Sequence, residues 1–238
     1  VLKDTNRVLF CNNEDGAKTK TRIWFVPPPS KRYGCAFVGY DDGWEQGGMN
    51  SEGLACDWLA GWRESWTTDP QLPKVKSNCQ VLEACATVDE AIAFYREHAE
   101  PGFWYSKVLL TDKSGASVLI GAHDGKLQVE RTAESRGLGY GGETLERWMA
   151  HSSEPTVTNG VKILRACLQK GKYATKYFNV FDVKSGDLML YPFPKKDTEV
   201  KLNLAVELAK GPHYYDMPKL QKQMKQAPRP LLANMKKH

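Results

Sequence analysis

The feature that most constrains this chain is a series of short apolar and aromatic runs broken by turn residues. Residues 6–12 (NRVLFCN), 21–27 (TRIWFVP) and 35–40 (CAFVGY) are rich in Val, Ile, Phe and other aromatics, and Gly, Pro, Asp and Asn separate them. They predict strands, and a further strand is expected over residues 54–58, after the turn GGMNSEG. The period then changes. Residues 88–100 (VDEAIAFYREHAE) place Val88, Ala91, Ile92 and Tyr95 on one face, with Thr87 as N-cap and acidic residues in the first turn. That pattern predicts a helix. Residues 105–110, 117–120 and 126–130 follow as hairpin strands whose turns contain DKSG and HDG. Helices are expected around 143–150 and 160–169, a hairpin over 177–183 and 188–191 either side of KSGD, and closing helices over 202–209 and 217–224. Strands, helices and strands again, linked mostly by hairpins, predict an α+β fold with antiparallel sheets and helices on their outer faces. One domain is expected over residues 1–227, with 228–238 as a basic tail.

Composition narrows the classes. The chain of 238 residues is 41% hydrophobic and 26% charged, which is ordinary for a globular protein, and no apolar run approaches the roughly 18 residues of a membrane-spanning helix. The net charge is +5, and much of the excess falls on Lys219, Lys222, Lys225, Arg229, Lys236 and Lys237 among Gln and Pro. With no recognition motif beside it, this reads as a solvated, frayed tail and not as a nucleic-acid site. The cysteines (Cys11, Cys35, Cys56, Cys79, Cys85 and Cys167) form no C-x-x-C pair of the kind metal sites use, and read mostly as buried thiols. No metal site, nucleotide loop or cofactor motif is evident. No signal peptide opens the chain, as expected of a cytoplasmic protein or of a processed extracytoplasmic one, and a homo-oligomer is left open.

Two polar clusters invite a chemical reading. Cys11-Asn12-Asn13-Glu14-Asp15-Gly16 closes the first long β-run, where such residues form either an Asx-type turn or a site. Gly47-Gly48-Met49-Asn50-Ser51-Glu52-Gly53-Leu54 lies between two strands. It reads either as a bulged hairpin turn or as a place where glycines allow close backbone approach and Asn50 bonds a ligand.

In order and spacing, VLFCNNEDG, RIWFVPP and YGCAFVGYDDGWEQGGMNSEGL resemble the first third of linear-amide hydrolases of the choloylglycine hydrolase group, relatives of penicillin V acylase, conjugated bile acid hydrolase and, more distantly, acid ceramidase. GLGYGGETL, ILRACLQKGKYATKYFNVFDVKSGDLMLYPF and LNLAVELAKGPHYYDMP resemble the later parts, so the likeness spans nearly the whole chain. The resemblance implies a four-layer αββα sandwich of two antiparallel sheets. It also implies hydrolysis of a small-molecule linear amide by an N-terminal cysteine freed by processing. The thiolate attacks the carbonyl and its own α-amine, with a pKa of about 7.7 to 8.0, moves the proton.

That alignment places the nucleophile about four residues before Val1, outside this sequence. Cys11 falls where relatives tend to carry a small strand residue, so a packing role is expected for it. Carried over by position, Asp15 orients the nucleophile's amine and Asn12 stands in place of an arginine, able to donate a hydrogen bond but bringing no charge. Arg136 is either the counterpart of a late family arginine or a surface residue beside a glycine turn, and Asn50 shapes the site's border.

Two departures accompany the likeness. The Thr-Asn pair that supplies an oxyanion donor is absent from VERTAESR (residues 129–136), and Ala60 stands where bile-acid hydrolases carry an asparagine, offering only its backbone N–H. Trp58, Trp62 and Trp66 read either as an acyl pocket or as one face packed into the core. A second overall reading is a catalytically degenerate member that binds an acyl or amide ligand.

Overall fold

A computed structural model describes residues 1–28, 32–193 and 198–235. In chain order the first strands are β1 (Leu2–Lys3), β2 (Val8–Asp15), β3 (Thr21–Val26), β4 (Cys35–Tyr40), β5 (Glu45–Asn50), β6 (Ala55–Ala60), β7 (Ser106–Thr111), β8 (Ser117–His123) and β9 (Lys126–Thr132). The later ones are β10 (Thr175–Asp182), β11 (Asp187–Tyr191), β12 (Val200–Asn203), β13 (His213–Asp216) and β14 (Arg229–Pro230). The helices are α1 (Gln80–Ala84), α2 (Val88–Glu97), α3 (Glu143–His151), α4 (Val157–Ala166), α5 (Leu204–Leu208) and α6 (Leu220–Gln223). Two sheets result, one ordered β1-β2-β10-β11-β12 and the other β14-β13-β3-β4-β5-β6-β7-β8-β9, and neighbouring strands within each are antiparallel.

Alternation within the strands builds the layers, because successive side chains leave opposite faces of a sheet. In β3, Ile23 and Phe25 enter the layer between the sheets, while Trp24 turns outward to the cluster under α1 and α2. In β10, Tyr177 and Phe181 point into the middle layer, and Phe178 and Val180 point to Ile163 and Leu164 of α4. The order is therefore helix, nine-stranded sheet, five-stranded sheet, helix: the expected αββα sandwich. Helix α2 carries its apolar face as read, with Val88, Ala91, Ile92 and Tyr95 buried and the Thr87 hydroxyl accepting from the Glu90 N–H.

Several expectations change. The segment read as one glycine turn holds the buried strand β5, which is admitted because Gly48 has no Cβ to meet the Ala36 carbonyl. The helix expected over 202–209 begins as strand: β12 pairs with β11, and only Leu204–Leu208 is helical. Part of the expected tail also packs. Arg229–Pro230 pairs with β13, Arg229 bonds Asp216 at 2.8 Å and stands over the Tyr214 ring, and Met235 is fully buried. An apolar anchor and an ion pair outweigh the basic composition there; residues 236–238 lie outside the described residues. Among the described residues no helix is long and apolar enough to cross a membrane.

Candidate active site

A cavity of about 420 Å³ opens at one end of the sandwich, between the two sheets and α3 and α4. Strand β2 supplies one wall. Val8 and Phe10 join the middle layer and Leu9 the outer one, so alternation sends Asn12 and Glu14 between the sheets and Cys11 and Asn13 toward α4. Asn13 donates its amide to the carbonyls of Leu164 (2.9 Å) and Cys167 (3.3 Å), fastening the end of α4 to β2. Asp15, half-buried at the end of the strand, accepts from the Thr175 hydroxyl, which in turn accepts from the Gln169 N–H at 2.9 Å. Burial raises its carboxyl, and the Thr175 hydrogen bond and nearby Lys176 offset part of that rise.

Glu14 is deeper, at 5% exposure, and accepts a 2.6 Å hydrogen bond from the Tyr40 hydroxyl. Burial pushes its carboxyl up to about 8, only partly countered by Tyr40. Across the gap, β6 presents Asp57, whose neighbours Ala55 and Leu59 face the middle layer while Cys56 and Trp58 face outward. Asp57 is 7% exposed and lines the cavity, and burial together with the Glu14 charge holds its carboxyl far above the usual range. Two glycines make room for these groups. A Cβ at Gly16 would collide with the Tyr40 hydroxyl, and one at Gly47 would stand 3.1 Å from the Asp57 carboxyl oxygen.

The sequence candidates divide. Asp15, Asn12, Arg136, Ala60 and Trp58 all line the cavity. Among the described residues the Asn12 amide nitrogen is buried without a hydrogen-bond acceptor, and the residue pairs in register with Asn179, whose own amide has no partner among them either. Arg136 brackets Val1 through its backbone, its N–H reaching the Val1 carbonyl at 2.9 Å, while its guanidinium bonds Glu130 at 2.6 Å. Trp58 contributes to the cavity wall, but its indole N–H bonds the Asn78 carbonyl and its ring packs beside Phe103.

Asn50 and Trp62 lie away from the cavity. Asn50 is buried and fully engaged, donating at 2.7 Å to the carbonyls of Leu82 and Cys85 and accepting from the N–H groups of Glu52 and Leu54, so it ties the β5–β6 turn to α1. Trp62 packs under Lys107 in a loop. Trp66 meets the edge of Phe103, and its indole bonds the Glu100 carbonyl. The tryptophan spacing thus reflects packing as much as pocket.

Cys11 sits in the outer layer, and its thiol fills the space left by the missing side chain of Gly160 on α4. Burial pushes that thiol up to about 11, leaving it protonated at neutral pH and a poor nucleophile. The six cysteines are all free thiols. Sequence reasoning named Glu14 only within its cluster and missed Asp57; an aspartate on the inward face of an otherwise apolar strand was the available signal.

No protein-family model matches the chain, and no curated protein sequence matches it. Solved structures do. A penicillin V acylase from Agrobacterium tumefaciens superposes with a TM-score of 0.70 at 16% identity, over 90% of this chain and 88% of that one. Two variants of conjugated bile acid hydrolase from Clostridium perfringens each superpose with a TM-score of 0.68. One is 14% identical over 87% of this chain and 92% of its own, the other 12% identical over 94% and 95%. The chain therefore has the fold these proteins share.

Proposed function

We propose that the protein hydrolyses a linear, non-peptide amide through an N-terminal cysteine that precedes Val1. The observation that carries this reading is the register of β1 on β2. Leu2 lies opposite Leu9 and Lys3 opposite Val8, so each step back from Val1 advances one residue along β2. Were the strand to continue upstream in this register, a residue about four positions before Val1 would come opposite Glu14 and beside Asp15, both of which line the cavity. This is the position that the family resemblance assigns to the nucleophile, and it brings an α-amine to the carboxylate expected to orient it.

The chemistry follows from that placement. The α-amine takes the thiol proton, and the thiolate sulfur attacks the amide carbonyl carbon. The oxygen of the tetrahedral intermediate becomes negative, and the free amide N–H of Asn12 and the backbone N–H groups at the cavity wall are its candidate donors. Collapse breaks the C–N bond, the leaving amine accepts the proton from the α-ammonium, and an acyl-cysteine thioester remains. Water, deprotonated by the same amine, hydrolyses the thioester to release the acid and restore the thiol.

The test is amine release from a panel of N-acyl amides by the complete gene product. An initial burst of amine equal to the enzyme concentration, or steady turnover with acyl-enzyme trapped on acid quench, supports the reading. Binding of the amides without release of amine by any of them would favour the degenerate, ligand-binding member instead.

A further inference from the structure

Resting on the amide-hydrolase reading, we infer that the amide bears a cationic nitrogen on its amine portion, seated between Asp57 and Glu14, with its acyl portion along the wall of α3 and α4. The cavity has two unlike halves. Leu145 and Met149 of α3 and Ile163 and Leu164 of α4 make one side apolar. The floor between the sheets is acidic, with Glu14 from one sheet and Asp57 from the other.

Among the described lining residues Arg136 is the one cationic side chain, and its guanidinium is taken by Glu130. A carboxylate ligand would therefore find no free cationic side chain among them and would face two acids.

Asp57 is the decisive residue. It is more than nine-tenths buried and opens on the cavity, and among the described residues its one donor is the backbone N–H of Trp58. Gly47 is bare where its carboxyl sits, so the fold makes room for a group that costs desolvation and bonds no other side chain. Asp15 is assigned to the nucleophile's amine, and Glu14 is held by Tyr40, which leaves Asp57 without a structural duty. Burial keeps Glu14 and Asp57 protonated more readily than ordinary acids, with the Asp15 charge adding to the rise at Glu14 and the Glu14 charge to that at Asp57. A bound ammonium group supplies a countercharge that no side chain of the described floor provides, and so favours their ionised forms. Three exposed tyrosines, Tyr105, Tyr140 and Tyr173, also line the cavity.

The test uses three N-octanoyl amides matched in length, made from 1,4-diaminobutane, pentylamine and 5-aminopentanoate. Binding is read by calorimetry and turnover by kcat/KM on the complete gene product. The ammonium-bearing amide is expected to bind at least about tenfold more tightly than the neutral one, with the carboxylate weakest. Asp57→Asn, checked for folding by thermal melting, is expected to compress that order to within about threefold. Should the variant not fold, the wild-type order alone decides. Equal binding, a preference for the carboxylate, or a preference that survives in Asp57→Asn would overturn the inference. If all three amides are hydrolysed equally, the hydrolase reading stands and this one falls. An Asp57-dependent preference in binding with no turnover gives the reverse.

Discussion

The Tyr40 hydroxyl donates to the Glu14 carboxyl across 2.6 Å in the layer between the sheets, with Gly16 bare to admit it. A short bond of this kind stabilises the carboxylate, yet burial dominates and Glu14 stays at about 8. A raised acid pKa makes folding less favourable as pH rises. Below about 4.5, glutamate is protonated in both states and contributes no pH dependence. Between about 4.5 and 8 the unfolded chain loses the proton while the native one keeps it, and stability falls.

Glu14→Gln keeps an acceptor for Tyr40 but cannot ionise. Its melting temperature is expected to exceed that of the wild type at pH 9 and to match it at pH 4. A wild-type and variant difference that is constant across that range, measured by thermal melting, would contradict the assignment.

Asp15→Asn tests the orienting carboxylate. It removes the charge proposed to face the nucleophile's amine but leaves an acceptor for Thr175. Turnover is expected to drop by at least about 100-fold with KM little changed. Steady-state kinetics on the best amide of the panel, beside a circular dichroism melt, separate this from unfolding.

Cys11→Ala removes a thiol packed in the outer layer beside α4. The expected cost is about 1 kcal/mol of stability, measured by urea unfolding, because a small cavity opens there. Acyl-enzyme formation is expected to persist, since a thiol pushed up to about 11 is not the nucleophile.

Far from the cavity, Glu207 is buried and joins the ring nitrogen of His213 at 3.0 Å, the Lys210 ammonium at 2.7 Å and the Tyr215 hydroxyl at 3.1 Å. Burial raises its pKa, but these partners outweigh burial and leave the carboxyl below its usual value. The sign is the opposite of Glu14. The stabilisation is complete above the unfolded value of about 4.5 and is lost as pH falls through the lower folded one. Glu207→Gln is expected to cost about 3 kcal/mol at pH 7, by denaturant titration, with the difference shrinking toward pH 3.

Much of the scaffold was legible because its strands alternate. Ile23, Trp24 and Phe25, or Val108, Leu109 and Leu110, assign each side chain to a layer once the sheets are known. Strand β5 was hidden by Gly47 and Gly48, whose value lies in contacts with the Cys56 and Ala36 carbonyls that only the folded chain brings near. The break between β12 and α5 depends on pairing with β11, which no local propensity encodes.

That Asn12, Asp15 and Arg136 come together along one cavity could be anticipated because the resemblance covers their segments. Asn50 was misplaced because its turn borders the site in sequence, while its amide is consumed by α1. Asp57 was overlooked beside three tryptophans. Its meaning appears only when the second sheet brings it opposite Glu14.

The hydrolase mechanism stands or falls on which atom becomes acylated. The complete gene product would be incubated with a reactive β-lactam, and the modified protein digested and mapped by mass spectrometry together with its N-terminal sequence. A single adduct is expected on an N-terminal cysteine about four residues ahead of Val1, with Cys11 and the other five thiols unmodified. A mature chain whose first residue carries neither thiol nor hydroxyl, or an adduct on Cys11, would contradict it.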